Sequence, residues 1–322
     1  MRAVWLNEFG GPEMLVAGAA PEPVLQPGQA LIDVTFANIT FVETMFRATG
    51  FGPQNTPLPV IPGNGVGGVV TSVGSGVDEG LIGMRIVSST GGSGGYAERA
   101  AVDATALFEV PDGLGLDQAV AVLADGRTAT MLVQAAGVGR GERVLVEAAA
   151  GGVGTLLVQL SRAAGAKVIA VAGGAHKVNV ARGLGADIMI DHLEPGWAER
   201  VRESGGAVDV VFDGVGGNIG RAAFELLDRG GRMVSFGLSS GEWAGVSDDD
   251  AAGRGVMVIH PRPTPEEMRA YTMSALAEAA AGRLRAVIGQ RFPLERAADA
   301  HAAIESRTTV GKTLLEVRPE RP

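Results

Sequence analysis

The sequence predicts an α/β protein of two domains, one β-rich and one a doubly wound parallel sheet. Three observations lead there. From residue 143 onward, short apolar runs alternate with stretches of helical period. Residues 1–110 instead hold short strand-like segments broken by Gly and Pro. Between them, Val144-Leu-Val146 runs through Ala148-Ala-Ala-Gly151-Gly152-Val153-Gly154 into the amphipathic pattern Leu156, Leu157, Leu160. Strand, glycine turn and helix in that order form the first βα unit of a dinucleotide-binding fold. A length of 322 residues suits two domains of ~100–200 residues each.

In chain order, Arg2–Leu6 reads as a first strand and Phe9-Gly-Gly-Pro-Glu13 as a turn. Ala30–Phe36 alternates apolar and polar residues and reads as a second strand. Phe41–Ala48 suits a short helix, and Pro57–Gly63 with its three prolines suits a rigid loop. Val66–Val73, Gly83–Ser88 and Tyr96–Val102 complete a barrel-like β fold. Residues 115–136 suit a long helix that joins the domains, stopped at Gly137.

Strands are then expected at Val144–Val146, Lys167–Val171, Ile188–Ile190, Val208–Phe212 and Arg232–Ser235. Helices are expected near 153–164, 175–184, 196–203 and 219–228, with Gly165, Gly185 and Gly230 at helix ends. Gly241–Gly255 is polar and reads as a solvated connection rather than a substrate lid. Val256–Ile259 suits a strand, Pro265–Ala281 and Leu294–Ser306 helices, and Lys312–Val317 a closing strand. That last strand falls outside the rhythm of the parallel sheet, so the C-terminal part is expected to return to the first domain. The domains expected are residues 1–122 with 259–322, and residues 123–258.

Composition narrows the function. With 46% hydrophobic residues there is ample core, yet no run approaches the ~20 apolar residues of a membrane span. The first residues lack a signal-peptide pattern, so a cytoplasmic protein is expected. There is no cysteine, hence no disulfide, thiolate nucleophile or cysteine zinc ligand. Four scattered histidines argue against a histidine metal site, so no metal is expected. A net charge of −9 and 5% aromatics disfavour nucleic acid and anionic membrane as partners.

The glycine turn is the chief chemical signal. Gly151, Gly152, Val153 and Gly154 place backbone N–H groups at a helix N-terminus, where a pyrophosphate can approach without meeting β-carbons. Against G-x-G-x-x-G the first glycine is Ala149, so the fingerprint is incomplete. An acidic residue for NAD usually stands ~20 residues on, at the end of the second strand. Here that end reads Val171-Ala-Gly173-Gly-Ala-His-Lys177, with no carboxylate and a lysine close by. Asp125 and Arg127 are unusual charges in the apolar stretch Leu123–Thr130, readable as an ion pair at the cleft or as a solvated edge.

Taken together, Phe9-Gly-Gly-Pro-Glu13, Ile61-Pro-Gly63, Gly94-Gly-Tyr-Ala-Glu98, Ala148–Gly154, Leu184-Gly-Ala-Asp187, Val208–Gly217, Ser235-Phe-Gly237 and Gly311-Lys312 form an ordered set across nearly the whole chain. In this the sequence resembles the zinc-independent quinone oxidoreductase, or zeta-crystallin-like, branch of the medium-chain dehydrogenase/reductases. The resemblance implies a GroES-like catalytic domain, a Rossmann domain and a homodimer. It implies that Gly173 and Lys177 bind NADPH, and that Val215, Phe236, Gly237 and Thr128 border the nicotinamide. His192 stands where the family often has a tyrosine near the 2′-phosphate. Gly63-Asn64-Gly65 stands where zinc-dependent relatives carry Gly-His-Glu.

In the acceptor segment Thr40 takes the place of a family asparagine and Met45 of a family tyrosine; Met45 reads equally as pocket or core. The expected activity is hydride transfer from NADPH to a quinone or α,β-unsaturated carbonyl. Thr40 is the candidate catalytic group, and Met45 and Asp125 are candidate pocket residues. A reductase of a specialised enone or polyketide-type substrate and a non-catalytic NADPH-binding redox sensor stand as alternatives.

Overall fold

The computed structural model describes residues 1–52, 57–204 and 206–319. The chain divides into two compact units, Met1–Ala124 with Ala275–Pro322, and Asp125–Ser274. The chain returns to the first unit at Ala275 rather than at 259. The reason is that the strand ending at Ile259 is hydrogen-bonded into the parallel sheet of the second unit.

In the first unit β1 (Arg2–Leu6) pairs antiparallel with β2 (Leu15–Ala19). A larger sheet is built from β3 (Gln29–Ile39), β4 (Gly65–Val73), β5 (Arg85–Ser89), β6 (Arg99–Asp103) and β7 (Leu107–Glu109), with α1 (Phe41–Thr49) after β3. The long β3 is central: it pairs with β4, with β6 and with the C-terminal strand described below. Its inward residues Ala30, Ile32 and Val34 join Leu6, Val66, Ile86 and Tyr96 in a core that burial from water stabilises. Tyr96 Oη lies 3.0 Å from His301 Nε2 inside that core. Burial and the nearby Arg47 charge hold the His301 imidazole down at about 3, so it is neutral there at ordinary pH.

α2 (Leu116–Ala136) leads to the second unit. There β8 (Arg143–Val146), α3 (Gly152–Ala163), β9 (Lys167–Ala172), α4 (Ala175–Gly183), β10 (Ile188–Asp191), α5 (Trp197–Glu203), β11 (Val208–Asp213), α6 (Gly217–Phe224), β12 (Leu227–Ser235), α7 (Asp248–Arg254) and β13 (Met257–Ile259) follow. All the strand pairs are parallel, in the order β10-β9-β8-β11-β12-β13. This is the doubly wound Rossmann arrangement, and strand order reverses between β8 and β11. Near-continuous apolar strands such as Val144–Val146 are fully buried, as a sheet covered on both faces requires.

After α8 (Pro265–Ala280), the chain adds β14 (Ile288–Pro293), α9 (Ala297–Glu305) and β15 (Lys312–Glu316). β15 pairs antiparallel with β3 over Thr313–Glu316, which completes the return to the first unit. The fold is therefore a GroES-like β domain and a Rossmann domain.

Several elements differ from the expectation. Gly241–Gly255 is not all loop, because Asp248–Arg254 forms a helix. Ser247 caps it by accepting the Asp250 N–H, and three acidic residues in the first turn suit its dipole. α6 stops at Phe224 rather than 228, and Gly230, at φ +84°, lies inside β12 rather than at a helix end. β2 and β14 escape sequence reading because their sides are largely solvated and show no clean alternation of apolar residues.

The βα turn after β8 is built on close approach. A Cβ on Gly154 would stand 2.1 Å from the Ala148 carbonyl oxygen, so α3 can start against this turn only without a side chain there. Replacing Gly154 by Ala is expected to cost about 1–3 kcal/mol or more through overpacking against backbone. A Tm equal to that of the wild type would show that the turn does not need the close approach.

Candidate cofactor and acceptor sites

In open parallel sheets, ligands bind outside the C-terminal strand ends where strand order reverses. The second unit places its glycine turns there. α3, α4 and α6 start after β8, β9 and β11, with Gly151, Gly174 and Gly216 as N-caps, and none of the three has a side-chain cap. A helix start without a side-chain cap leaves N–H groups for an anion, and the helix dipole favours one; at α6 the Gly216 and Gly217 N–H groups are already taken, by Asp213 and by the Glu242 carbonyl. Gly151, Gly152, Val153 and Gly154 together form the start of α3.

At the next turn, Gly173 and His192 come together. A Cβ on Gly173 would lie 3.1 Å from His192 Nε2. Lys177 lies half-buried in the first turns of α4. Asp191, a residue the sequence reading passed over, organises this corner. Its Oδ1 accepts N–H groups from Gly174 and Leu193, each at 2.9 Å. The bond from Gly174 leads the effects that hold its carboxyl below the usual range, with the His192 and Arg200 charges adding to it. The signal was in the sequence, but on the third strand rather than the second, where such acids are sought.

The turns after β11 and β12 form one packed body. Val215 is buried, Phe236 N–H donates to the Asp213 carbonyl at 2.9 Å, and Gly237 N–H to the same oxygen at 3.3 Å. The Phe236 ring covers Gly214, where a Cβ would meet its Cζ at 2.8 Å. The segment after β12 folds back on this body: Gly217 N–H donates to the Glu242 carbonyl, and Ser240 N–H to that of Val215. Thr128 lies half-buried in the middle of α2, a different element from these turns. Asp125 is 8% exposed, and its charge bears on Arg127, so the pair is not a solvated edge. Burial lowers the Arg127 guanidinium from its usual range, and Asp125 opposes that shift.

In the first unit, Thr40 is the N-cap of α1. Its N–H and its Oγ–H both point to Glu43 Oε2, the latter at 2.9 Å. Glu43 Oε1 accepts the Asn64 N–H at 2.7 Å, and Asn64 Oδ1 accepts from Ser89 Oγ at 2.8 Å. One buried carboxyl thus ties the start of α1 to the Gly63-Asn64-Gly65 segment. Burial pushes Glu43 up, while bonds from Thr40 and Asn64 and the Lys312 charge pull it down without cancelling the rise. The sequence reading placed Glu43 in the family segment but gave it no role, because its partners lie 21 and 269 residues away. Met45 is half-buried, and among the described residues of α1 it is Phe46 that packs against the β core. Among the described residues no cluster of three His, Cys, Asp or Glu side chains could hold a metal ion, and no helix is long and apolar enough to cross a membrane.

Comparison with known proteins bears on both units. The alcohol dehydrogenase GroES-like domain profile matches residues 26–112, and the zinc-binding dehydrogenase profile matches residues 152–269. The quinone oxidoreductase of Salmonella typhimurium is 33% identical, over 96% of this chain and 97% of that protein. The quinone oxidoreductase of Homo sapiens is 31% identical, over 98% and 97%. The crystal structure of Escherichia coli quinone oxidoreductase complexed with NADPH superposes with a TM-score of 0.91 at 31% identity, covering 98% of this chain and all of that one. With identity of this order along the full length, carried by the same two domains, the chain belongs to the quinone oxidoreductase family of the medium-chain dehydrogenase/reductases.

Proposed function

We propose that this protein is an NADPH-dependent, zinc-independent reductase of quinones or α,β-unsaturated carbonyls. The observation that carries the reading is the set of glycine turns without side-chain caps at and beside the reversal of strand order, with Gly173 close to His192 and Lys177 on the helix that follows Gly173. These residues fit a dinucleotide: Gly151–Gly154 would take the pyrophosphate, and Lys177 and His192 the 2′-phosphate. Val215, Phe236 and Gly237, with Thr128 on α2, would border the nicotinamide. The relative from Escherichia coli was crystallised with NADPH, in the same fold.

Zinc independence is supported by the donor set. The chain has no cysteine, and Asn64 stands where zinc-dependent relatives carry histidine. The Asn64 side-chain oxygen already accepts from Ser89, so that segment is a hydrogen-bonded turn. A quinone or enone is electron-poor and accepts hydride without a Lewis acid on its oxygen.

When bound, NADPH supplies the hydride. The chain's part is to hold, orient and protonate. Thr40 Oγ can accept one hydrogen bond while it donates to Glu43. When Glu43 holds a proton, the direction reverses, and Thr40 donates outward to the acceptor oxygen. Met45, flexible and apolar, would adapt to the acceptor ring.

Titration should show NADPH binding more tightly than NADH. Lys177→Ala should weaken NADPH about tenfold while leaving NADH unchanged. Tighter binding of NADH by the wild type would defeat the cofactor assignment. Assays of NADPH oxidation with a panel of quinones and enones should then show turnover, and binding without oxidation by any acceptor would point to an NADPH sensor. Thr40→Val should lower kcat about tenfold or more with the KM for NADPH little changed. Unchanged kcat would remove Thr40 from the mechanism.

A further inference from the structure

Glu147 follows β8, and Asp213 ends β11, the two neighbouring strands where strand order reverses. Both side chains are fully buried. The Val215 N–H is shared between Glu147 Oε2 and Asp213 Oδ1, 3.2 Å from each, so the two carboxyl groups converge on one donor. Asp213 accepts two more bonds, from Gly216 N–H at 2.7 Å and from Ser235 Oγ–H at 2.8 Å. The other oxygen of the glutamate, Oε1, is buried and meets no N–H or O–H donor among the described residues.

Two buried carboxylates this close would repel, and the charged group acting on Glu147 is Asp213, itself an acid. Ser235, from β12, is neutral. Carboxyls that share a site keep one proton between them, because the second ionisation would place like charges in contact. Asp213 has three donors and Glu147 one, so the proton belongs on the glutamate. A protonated Glu147 also needs fewer donors than a carboxylate would, which suits a group that receives one N–H and has a buried oxygen with no donor among the described residues.

We propose that Glu147 is a neutral acid that donates a hydrogen bond to Asp213, and that this pair positions the turns on either side of the nucleotide crevice. One turn begins at Ala148, the residue after Glu147, which holds a left-handed φ of +45°. Such a conformation in a residue with a side chain persists only where its surroundings impose it. The other turn is Gly214-Val215-Gly216, whose last two N–H groups end on the pair. Burial, followed by the Asp213 charge, also pushes Glu147 well above the ordinary carboxylate range. The crevice floor then carries one negative charge instead of two where a diphosphate must lie. The role in holding nucleotide rests on the NADPH reading above, whereas the shared proton does not.

The proton is tested on the chain without nucleotide, by the infrared difference spectrum of wild type minus Glu147→Gln. A neutral carboxyl C=O band present in the wild type and absent from the variant is expected. Carboxylate bands alone would overturn the proposal. The positioning role is tested by NADPH titration of E147Q and E147A. The amide of E147Q still reaches Asp213 with an N–H, so E147A should lose about tenfold in affinity and E147Q distinctly less. Equal losses, or none, would overturn the tie between the turns. If E147A is too unstable to titrate, a higher Tm for E147Q gives the same ordering, and equal Tm values overturn it. Failure of the wild type to bind NADPH would count against the functional reading and leave the infrared result standing.

Discussion

A site for a diphosphate needs backbone N–H groups that nothing else in the protein has taken. That requirement shapes the second unit. A side-chain cap at a helix start typically contributes about 0.5–2 kcal/mol, and α7 takes one from Ser247. α3, α4 and α6 forgo it, because Gly151, Gly174 and Gly216 have no side chain with which to cap. Their stability comes from elsewhere. Leu145, Ile169, Val171 and Val211 on the strands pack with Phe224 of α6 in one core, and Leu156 and Leu157 of α3 and Ala181 of α4 are buried, so the helix bodies are held by packing. The same glycines let backbone approach backbone, as Gly154 does against Ala148.

The first unit meets its own problem of buried charge by local pairing. Arg47 is 1% exposed and pairs with Glu305 and with the carbonyls of Gly10 and Thr44, while its Nε meets no partner among the described residues. Burial, with the Arg47 charge adding to it, keeps His301 neutral, in contact with Tyr96. Glu43 is held by Thr40, Asn64 and the Lys312 charge. Arg47 and Glu43 lie on the same short helix, so α1 is pinned through charges at both ends of its length. Breaking one member of such a set leaves a buried ion uncompensated and is far more damaging than any surface substitution. Thr40 inherits this rigidity, because its backbone and its hydroxyl are bound to the same carboxyl.

Much of this was legible before any coordinates. Apolar runs such as Val144–Val146 and Val208–Phe212 announce buried parallel strands, because a strand covered on both faces has no reason to alternate. The glycine turn at 151–154 announces a strand-to-helix turn of close approach, as Gly154 against the Ala148 carbonyl shows. What could not be read lies in pairings across long sequence distance. Glu147 looks like one more residue after a strand, and only the neighbouring end of β11 reveals an acid facing it. Asp191 is invisible as a partner of Gly174 until β9 and β10 are laid side by side. β14 was missed because its exposure alternates between half-buried and open, with little apolar signal, and β15 rather than its own sequence holds it in place.

The crowding at Gly173 bears on how cofactor choice could change over generations. The customary route from NADPH to NADH introduces an acidic side chain at the end of the second strand. Here the Cβ of any such residue at 173 would arrive 3.1 Å from the His192 ring and 3.5 Å from Leu193 Cγ. It would also bring a second carboxylate beside Asp191, already fixed by two backbone donors. A single substitution therefore asks the His192 ring to shift by a few tenths of an ångström and adds a negative charge beside Asp191. The room that the His192 ring leaves bears directly on whether an acid at 173 can be accommodated.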